Sequence, residues 1–229
     1  MRYLGKIAMV CLFVCLNMSV SAQTSSFRYG FKAGLNLSTA LVEEARSCKL
    51  KPGFHVGPTV EYSLSQRFYI QSGLLLSMKG SKIEALNSGN YIGGEPNFTH
   101  TFNQFYLELP LYGTYKASIS RNIDIALGVG PYFGYGMGGK IKRIWADEET
   151  ETKWDTFKDG VFDESRDWLR GESLKKMDFG VGIKVDLEYD KYVFGIGFGS
   201  SIIDIAEKHG YQGFQYRNFN INVSMGYKF

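Results

Sequence analysis

The C-terminal stretch RNFNINVSMGYKF, residues 217–229, alternates between polar and apolar side chains. The apolar residues share one parity: Phe219, Ile221, Val223, Met225, Tyr227 and Phe229. Successive side chains of a β-strand point to opposite faces, so the alternation predicts a strand with one apolar and one polar face. By itself the pattern leaves open whether the apolar face meets a protein core or lipid.

The N-terminal stretch predicts export. Arg2 and Lys6 precede an apolar run at 7–16, and the small residues Val20 and Ala22 precede an expected cleavage site. This is the anatomy of a secretory signal peptide. A membrane anchor would need about 20 apolar residues, and this run is too short.

We therefore expect a signal peptide at 1–22 and one barrel domain at 23–229. Only Cys48 remains after cleavage, so we expect no internal disulfide.

Seven further segments alternate in the same way, which makes eight predicted strands. They are 27–37, 54–64, 68–80, 105–116, 123–139, 177–189 and 192–202. Only Ser72 and Leu75 break the parity clearly. Long connections (38–53, 83–101, 143–174 and 204–216) alternate with short ones (65–67, 118–122 and 190–191). This arrangement predicts an all-β, eight-stranded antiparallel up-and-down barrel with long loops at one rim and short turns at the other.

The polar parity carries charges of both signs together with many glycines, while the apolar parity carries nearly all the large aromatic residues. Side chains just fill the interior of an eight-stranded barrel, so the bulky set does not fit inside. We therefore expect the polar face to point inward and to form an ion-pair cluster. The candidate members are Arg28, Lys32, Glu61, Lys79, Glu108, Lys116, Asp124, Asp178, Lys184 and Asp186.

Aromatic residues concentrate beside the predicted short turns. They are Phe27, Tyr29, Tyr62, Phe68, Tyr115, Tyr189, Tyr192, Tyr227 and Phe229. An aromatic ring at one height is typical of a membrane interface. The sequence therefore predicts a transmembrane barrel in an outer membrane, with periplasmic turns and termini and extracellular loops.

Two internal stretches, FKAGLNLS (31–38) and LELPLYGTYK (107–116), resemble the outer-membrane β-barrel domain family common in Bacteroidetes. Members of that family are described as porin-like and include the PorT-like barrels of secretion and gliding. The terminal Phe229 resembles the C-terminal aromatic residue that the barrel-assembly machinery reads. The resemblance implies a fold and this assembly partner, and it implies no chemistry.

Four kinds of function remain open. A small-solute channel is disfavoured, because water-filled pores come with about 16–18 strands. A lipid-modifying enzyme would use one of the three histidines, His55, His100 or His209, yet no nucleophile motif accompanies them. We expect no catalytic residue, cofactor or metal, and an accessory role in secretion or gliding is a further alternative.

The favoured hypothesis is a structural or cell-surface interaction role through the long loops. Residues 145–173 carry ten carboxylates and four basic residues, together with every tryptophan of the chain. Trp145, Trp154 and Trp168 are candidate anchors for a surface protein or glycan. The same stretch also permits a short helical lid over 154–169. We further expect contacts with outer-membrane lipid and lipopolysaccharide, no nucleic-acid binding, and a monomer.

Overall fold

The computed structural model describes residues 26–42, 47–85, 98–145, 151–158, 173–206 and 215–229. These residues form twelve strands in one antiparallel sheet. The strands are β1 (Phe27–Leu41), β2 (Ser47–Lys49), β3 (Lys51–Ser63), β4 (Phe68–Gly73), β5 (Leu75–Ala85), β6 (Phe98–Ser120), β7 (Ile123–Gly138), β8 (Lys140–Trp145), β9 (Glu151–Asp155), β10 (Met177–Tyr189), β11 (Tyr192–Ser201) and β12 (Arg217–Lys228). The predicted signal peptide, 1–22, lies outside the described residues. Within those residues no helix has the length and apolarity needed to cross a membrane.

The pairings close a ring through eight strands. β1 pairs with β3 on one side and with β12 on the other. From β3 the ring continues through β4, β6, β7, β10 and β11, and β11 pairs with β12. The first strand therefore pairs with the last, as closure of a barrel requires, and the pairing runs from Gly30 opposite Lys228 to Leu41 opposite Arg217.

Several of the twelve segments continue one another. β4 and β5 are separated only by Leu74, and their registers with β3 and with β6 are the same on both sides of this break. Pro58 and Pro110 lie at this level in the two flanking strands, and proline has no N–H to give to the ladder. The prolines thus explain why one predicted strand, 68–80, is divided in two.

The strands run further outward than the alternation predicts. β6 has 23 residues, so it includes part of the predicted loop 83–101. The predicted loop 143–174 contains the end of β8 and all of β9, which form a hairpin. The assignment of these positions to loops is therefore wrong. The helical lid is also wrong at 154–155, which lie in β9, while 159–169 lie outside the described residues.

Large apolar side chains cover the outer face of the ring. They include Leu35, Leu109, Leu127, Ile183 and Val223, and Leu35 is 70% exposed. Buried side chains on the inner face include many charged and polar ones, so the predicted orientation is confirmed. The two parity exceptions also conform: Leu75 points inward and is buried, and the Ser72 hydroxyl donates to the Pro110 carbonyl oxygen at 2.7 Å.

The predicted aromatic rim is present beside the short turns. Rings of neighbouring strands meet there, with centroids of Phe27 and Tyr62 4.7 Å apart and those of Phe68 and Tyr115 5.3 Å apart. Tyr227 contacts Tyr192 in the same way. These contacts place amphipathic rings of several strands at one height.

Candidate functional site

The lumen is the space enclosed by the ring, and its end near the short turns holds four interlocked charges, here called the turn-side network: Glu61, Lys116, Glu188 and Lys228. Lys116 Nζ lies 2.6 Å from Glu61 and 3.0 Å from Glu188. Lys228 Nζ lies 2.8 Å from Glu61 and 2.6 Å from Glu188. Each lysine thus binds both carboxylates, so the four charges neutralise one another in a space where an unpaired charge is costly.

A second group lies on the neighbouring inner wall. Lys184 Nζ lies 2.6 Å from Asp186 Oδ2 and donates to Gln71 Oε1. The same ammonium group stands 5.3 Å from the centroid of the Tyr112 ring. Gln71 also donates to Glu61, so this group is hydrogen-bonded to the turn-side network.

A third group centres on Lys79, which is buried and contacts Glu108. Its Nζ lies 3.9 Å from Asp178 Oδ2 and 4.4 Å from the centroid of the Tyr132 ring. Asp178 accepts hydrogen bonds from Ser201 Oγ at 2.6 Å and from Asn218 Nδ2 at 3.0 Å. The aspartate is therefore held from β11 and β12 as well as by the lysine.

Ten residues were predicted to form the ion-pair cluster, and the structure brings eight of them into ion pairs. Arg28 is half-exposed and reaches Glu61 at 3.7 Å. Lys32 lines the lumen, but no carboxylate in the described part of the chain forms an ion pair with it. Asp124 likewise pairs with no described cation; it lies next to a short turn, opposite Glu188 and Ser118 in the sheet. Its assignment to the cluster is wrong.

Glu188 and Lys228 share the parity of the predicted cluster but are not among its predicted members. Their partners are far apart in the chain, with 167 positions between Lys228 and Glu61. Parity identified them as inward-facing, whereas the pairing depends on the register of strands that meet only when the ring closes.

Inward glycines make room for inward tyrosines. A Cβ on Gly180 would stand 2.5 Å from the Tyr132 ring, and a Cβ on Gly182 would stand 2.7 Å from the Tyr112 hydroxyl. Both approaches are closer than side-chain carbon atoms tolerate. The glycines therefore allow these aromatic side chains to occupy the lumen.

The long-loop end of the ring is closed by a different kind of core, here called the outer cap. Its members are Ala40, Ile83, Phe102, Tyr106, Ile141, Trp154, Phe157, Leu174, Ile205, Ala206 and Tyr216. Phe157, from the turn after β9, packs against the inner wall so closely that a Cβ on Gly136 would stand 2.7 Å from its ring. The Tyr216 hydroxyl bonds to Ser81 at 2.8 Å and to Gln104 at 2.7 Å. Apolar side chains thus cover the outer mouth.

The outer cap changes the placement of one predicted anchor. Trp154 is only 7% exposed, with Arg143 lying 5.3 Å from its ring centroid. It does not offer its ring at the surface as the sequence reasoning expected, because β9 folds it inward. Trp145 lies at the end of β8, and Trp168 lies outside the described residues.

Along β6 the polarity of the two faces reverses. From Phe105 to Leu111 the outward positions are apolar, while Gln104 and Glu108 point inward. Beyond Asn103 the outward positions are Thr99 and Thr101, and the inward position Phe102 is fully buried. β5 reverses likewise, with Ile83 buried inside and Lys82 exposed outside. An apolar exterior that ends at one level marks where the contact with lipid stops.

The model of the outer membrane protein beta-barrel domain matches residues 21–207, which is most of the chain. The chain belongs to this family. Membership of this family identifies the protein as an outer-membrane barrel. An origin in Bacteroidetes and a link to secretion or gliding stay predictions. Comparison with curated proteins found no significant match.

Several solved outer-membrane barrels are similar to this family member. One is Ail, the attachment invasion locus protein of Yersinia pestis, with 10% identity and a TM-score of 0.43 over 88% of this chain and 98% of that chain. OprG from Pseudomonas aeruginosa has 13% identity and a TM-score of 0.42 over 89% and 94%. The outer membrane protease OmpT from Escherichia coli has 11% identity and a TM-score of 0.39 over 91% and 100%.

His55 of β3 lies opposite Ser77 of β5 in the sheet, and the Asn36 amide bonds to both side chains. His55 Nδ1 bonds to Asn36 Oδ1 at 2.9 Å, and the amide nitrogen of Asn36 donates elsewhere, so Nδ1 carries the proton. His100 accepts a hydrogen bond from Arg143 Nε. Ser201 donates to Asp178 and Ser200 to a backbone carbonyl oxygen. His209 lies outside the described residues, which also contain no cluster of three or more His, Cys, Asp or Glu with metal-site geometry.

Proposed function

We propose that the protein is an eight-stranded up-and-down transmembrane barrel with periplasmic turns and termini and extracellular loops. The ring through eight strands supports this topology, as do the apolar exterior and the aromatic rim beside the short turns. As partners we propose outer-membrane lipid, lipopolysaccharide and the assembly machinery acting on the strand that ends at Phe229. We expect a monomer, because ring closure uses both edges of the sheet.

We propose that this barrel is closed and non-catalytic. The observation that supports the proposal is that the lumen is filled at both ends. Charged groups that bind one another occupy the end near the short turns, and the outer cap covers the end near the long loops. An ion moving through would have to separate the turn-side network and displace apolar side chains. Both steps are costly, since breaking a buried ion pair costs about 3–5 kcal/mol.

The function that suits a closed barrel is to hold its extracellular segments at the cell surface. The β8–β9 hairpin is anchored by Trp154 and Phe157 in the outer cap, so the barrel fixes the base of the acidic segment 145–173. We propose that this segment binds a surface protein or glycan. Since Trp154 is buried, Trp145 and Trp168 remain the proposed anchors.

Conductance across planar bilayers tests the closed barrel. We expect folded protein, identified by its heat-modifiable gel shift, to give no stable conductance steps under conditions where a large porin conducts. Discrete steps that depend on inserted protein would contradict closure. They would favour the second candidate, a small-solute channel, for which the lumen cavity of about 120 Å³ is the supporting observation.

Replacement of 159–172 by a short Gly-Ser linker tests the surface role. We expect assembly and the gel shift to be unchanged, because the outer-cap residues are retained. Crosslinking in native outer membranes should then lose the neighbours that the intact chain captures. A matched variant keeps residues 159–172 but replaces their carboxylates by amides. It shows whether the neighbours are recognised through the charges or through the tryptophan. If the intact chain and the deletion capture the same neighbours, the surface role is wrong.

A further inference from the structure

Among the described residues that line the lumen, one lysine makes no ion-pair contact with a carboxylate. Lys79, Lys116, Lys184 and Lys228 each lie in contact with at least one carboxylate. Lys32 of β1 does not, within the part of the chain that the structure describes. Burial of a charged ammonium group inside a barrel costs free energy unless the group is paired with an anion or hydrogen-bonded.

Lys32 lines the cavity of about 120 Å³ inside the ring. Three carboxylates line the same cavity, Glu61, Glu108 and Asp186, and each already contacts another lysine. Asp186 attracts Lys32 electrostatically, but it is bound to Lys184, whose charge repels Lys32. Lys32 therefore lies at the cavity without an ion-pair contact of its own among the described residues. A space of this size holds several water molecules or a small anion.

Two neutral donors line the same cavity. The Asn222 amide and the Tyr112 hydroxyl have no hydrogen-bond partner among the described residues. Glycines on other strands leave the space that both groups occupy. A Cβ on Gly197 would stand 2.9 Å from the Asn222 amide, and a Cβ on Gly182 would stand 2.7 Å from the Tyr112 hydroxyl. One cation and two neutral donors around a polar cavity have the chemistry of an anion site.

We propose that the lumen cavity binds a small monovalent anion, held by Lys32 and hydrogen-bonded by Asn222 and Tyr112. The anion supplies the counter-charge that the described residues do not place in contact with Lys32. The anion stays bound inside a closed barrel, so the proposal does not require that the barrel conducts ions.

Bromide is the probe, because its anomalous scattering identifies it in crystals. We expect an anomalous peak in the cavity beside Lys32 Nζ in soaked crystals of the full barrel, and no peak at this place in Lys32→Met. A wild-type cavity without bromide would overturn the proposal. A peak that persists in Lys32→Met would overturn the role of Lys32.

Thermal unfolding in detergent gives a second readout. At constant ionic strength, exchange of sodium gluconate for sodium bromide should raise the Tm of the wild type by roughly 2–4 °C, the shift expected for about 1 kcal/mol in a chain of this size. Lys32→Met should lose this rise, and Lys32→Arg should keep it. Lys82→Met removes an exposed lysine as a control and should behave as wild type. Equal rises in Lys32→Met and wild type would show a general salt effect and overturn the site.

Formate in place of bromide distinguishes a carboxylate from a halide as the preferred anion. Both results, peak and Tm, report occupancy of the cavity and are independent of the conductance measurement. The proposal of an anion site and the proposal of a closed barrel can therefore each be contradicted without contradicting the other.

Discussion

In the turn-side network the buried side chains are charged and bind one another, whereas in the outer cap the buried side chains are apolar. The two regions lie in the same ring and partly on the same strands, since β6 supplies Lys116 to one and Phe102 to the other. The difference follows from what surrounds each region. Where the exterior is lipid, apolar side chains face outward and the polar ones must satisfy one another inside. Where the exterior is water, the ring buries apolar side chains as a soluble protein does.

The comparison also separates two sources of stability. The lumen is held by hydrogen bonds and ion pairs that gain strength in a low-dielectric space, and that are costly to break singly. The outer cap is held by packing, in which each removed methylene group has a small and graded cost. Substitutions of similar size are therefore expected to act differently in the two regions.

The largest effect is expected from Glu61→Gln. This change leaves Lys116 and Lys228 with only Glu188 as a carboxylate partner, so we expect a loss of about 3–5 kcal/mol in the free energy of unfolding. Urea unfolding in lipid vesicles, followed by the gel shift, measures it. Asp124→Asn is the matched control, because Asp124 joins no ion pair of the described residues, and its change should stay within about 0.5 kcal/mol. Similar losses in both variants would show that the network does not stabilise the barrel.

The reversal along β6 predicts an intermediate effect. Leu109→Lys places a charge on the exterior at a level where lipid is expected, with an expected loss of about 2–4 kcal/mol. Thr99→Lys makes the same change beyond the reversal, at a position opposite Glu84 and Ile144, and should cost about 0–1 kcal/mol. The same unfolding measurement in vesicles compares the two. If Thr99→Lys is as destabilising as Leu109→Lys, the lipid boundary lies further out than Asn103.

The smallest effect is expected in the outer cap. Ile83→Val removes one methylene group from a buried position and should cost about 0.5–1.5 kcal/mol. We expect the loss to appear as faster proteolysis of the outer hairpins, because opening of the cap leaves the turn-side network intact. Val56→Ala is an exterior control with no cap contact and should leave the digestion rate unchanged. Equal digestion of Ile83→Val and wild type would indicate that the cap does not protect the hairpins.

The strands and their orientation could be predicted because a strand has a period of two, and the alternation is local. Ser72 and Leu75 looked like exceptions, yet both side chains point to the side that the alternation predicts. The Ser72 hydroxyl bonds to the Pro110 carbonyl oxygen, and Leu75 is buried inside. The division of one strand at Leu74 was not predicted, since it arises from prolines in two other strands. The reversal along β6 was readable in principle from Phe102 between Thr101 and Asn103, but the predicted loop extended to 101 and the predicted strand began only at 105.

The sequence by itself determined which side chains face inward and that the first and last strands pair, because both follow from alternation and from the need to satisfy every strand edge. Only the tertiary structure decided that Lys32, unlike Lys116, contacts no carboxylate of the described residues, and that Trp154 is covered and not displayed. These outcomes depend on register around the closed ring and on hairpins that fold back over its mouth. Such contacts join residues far apart in the chain, and no local pattern encodes them.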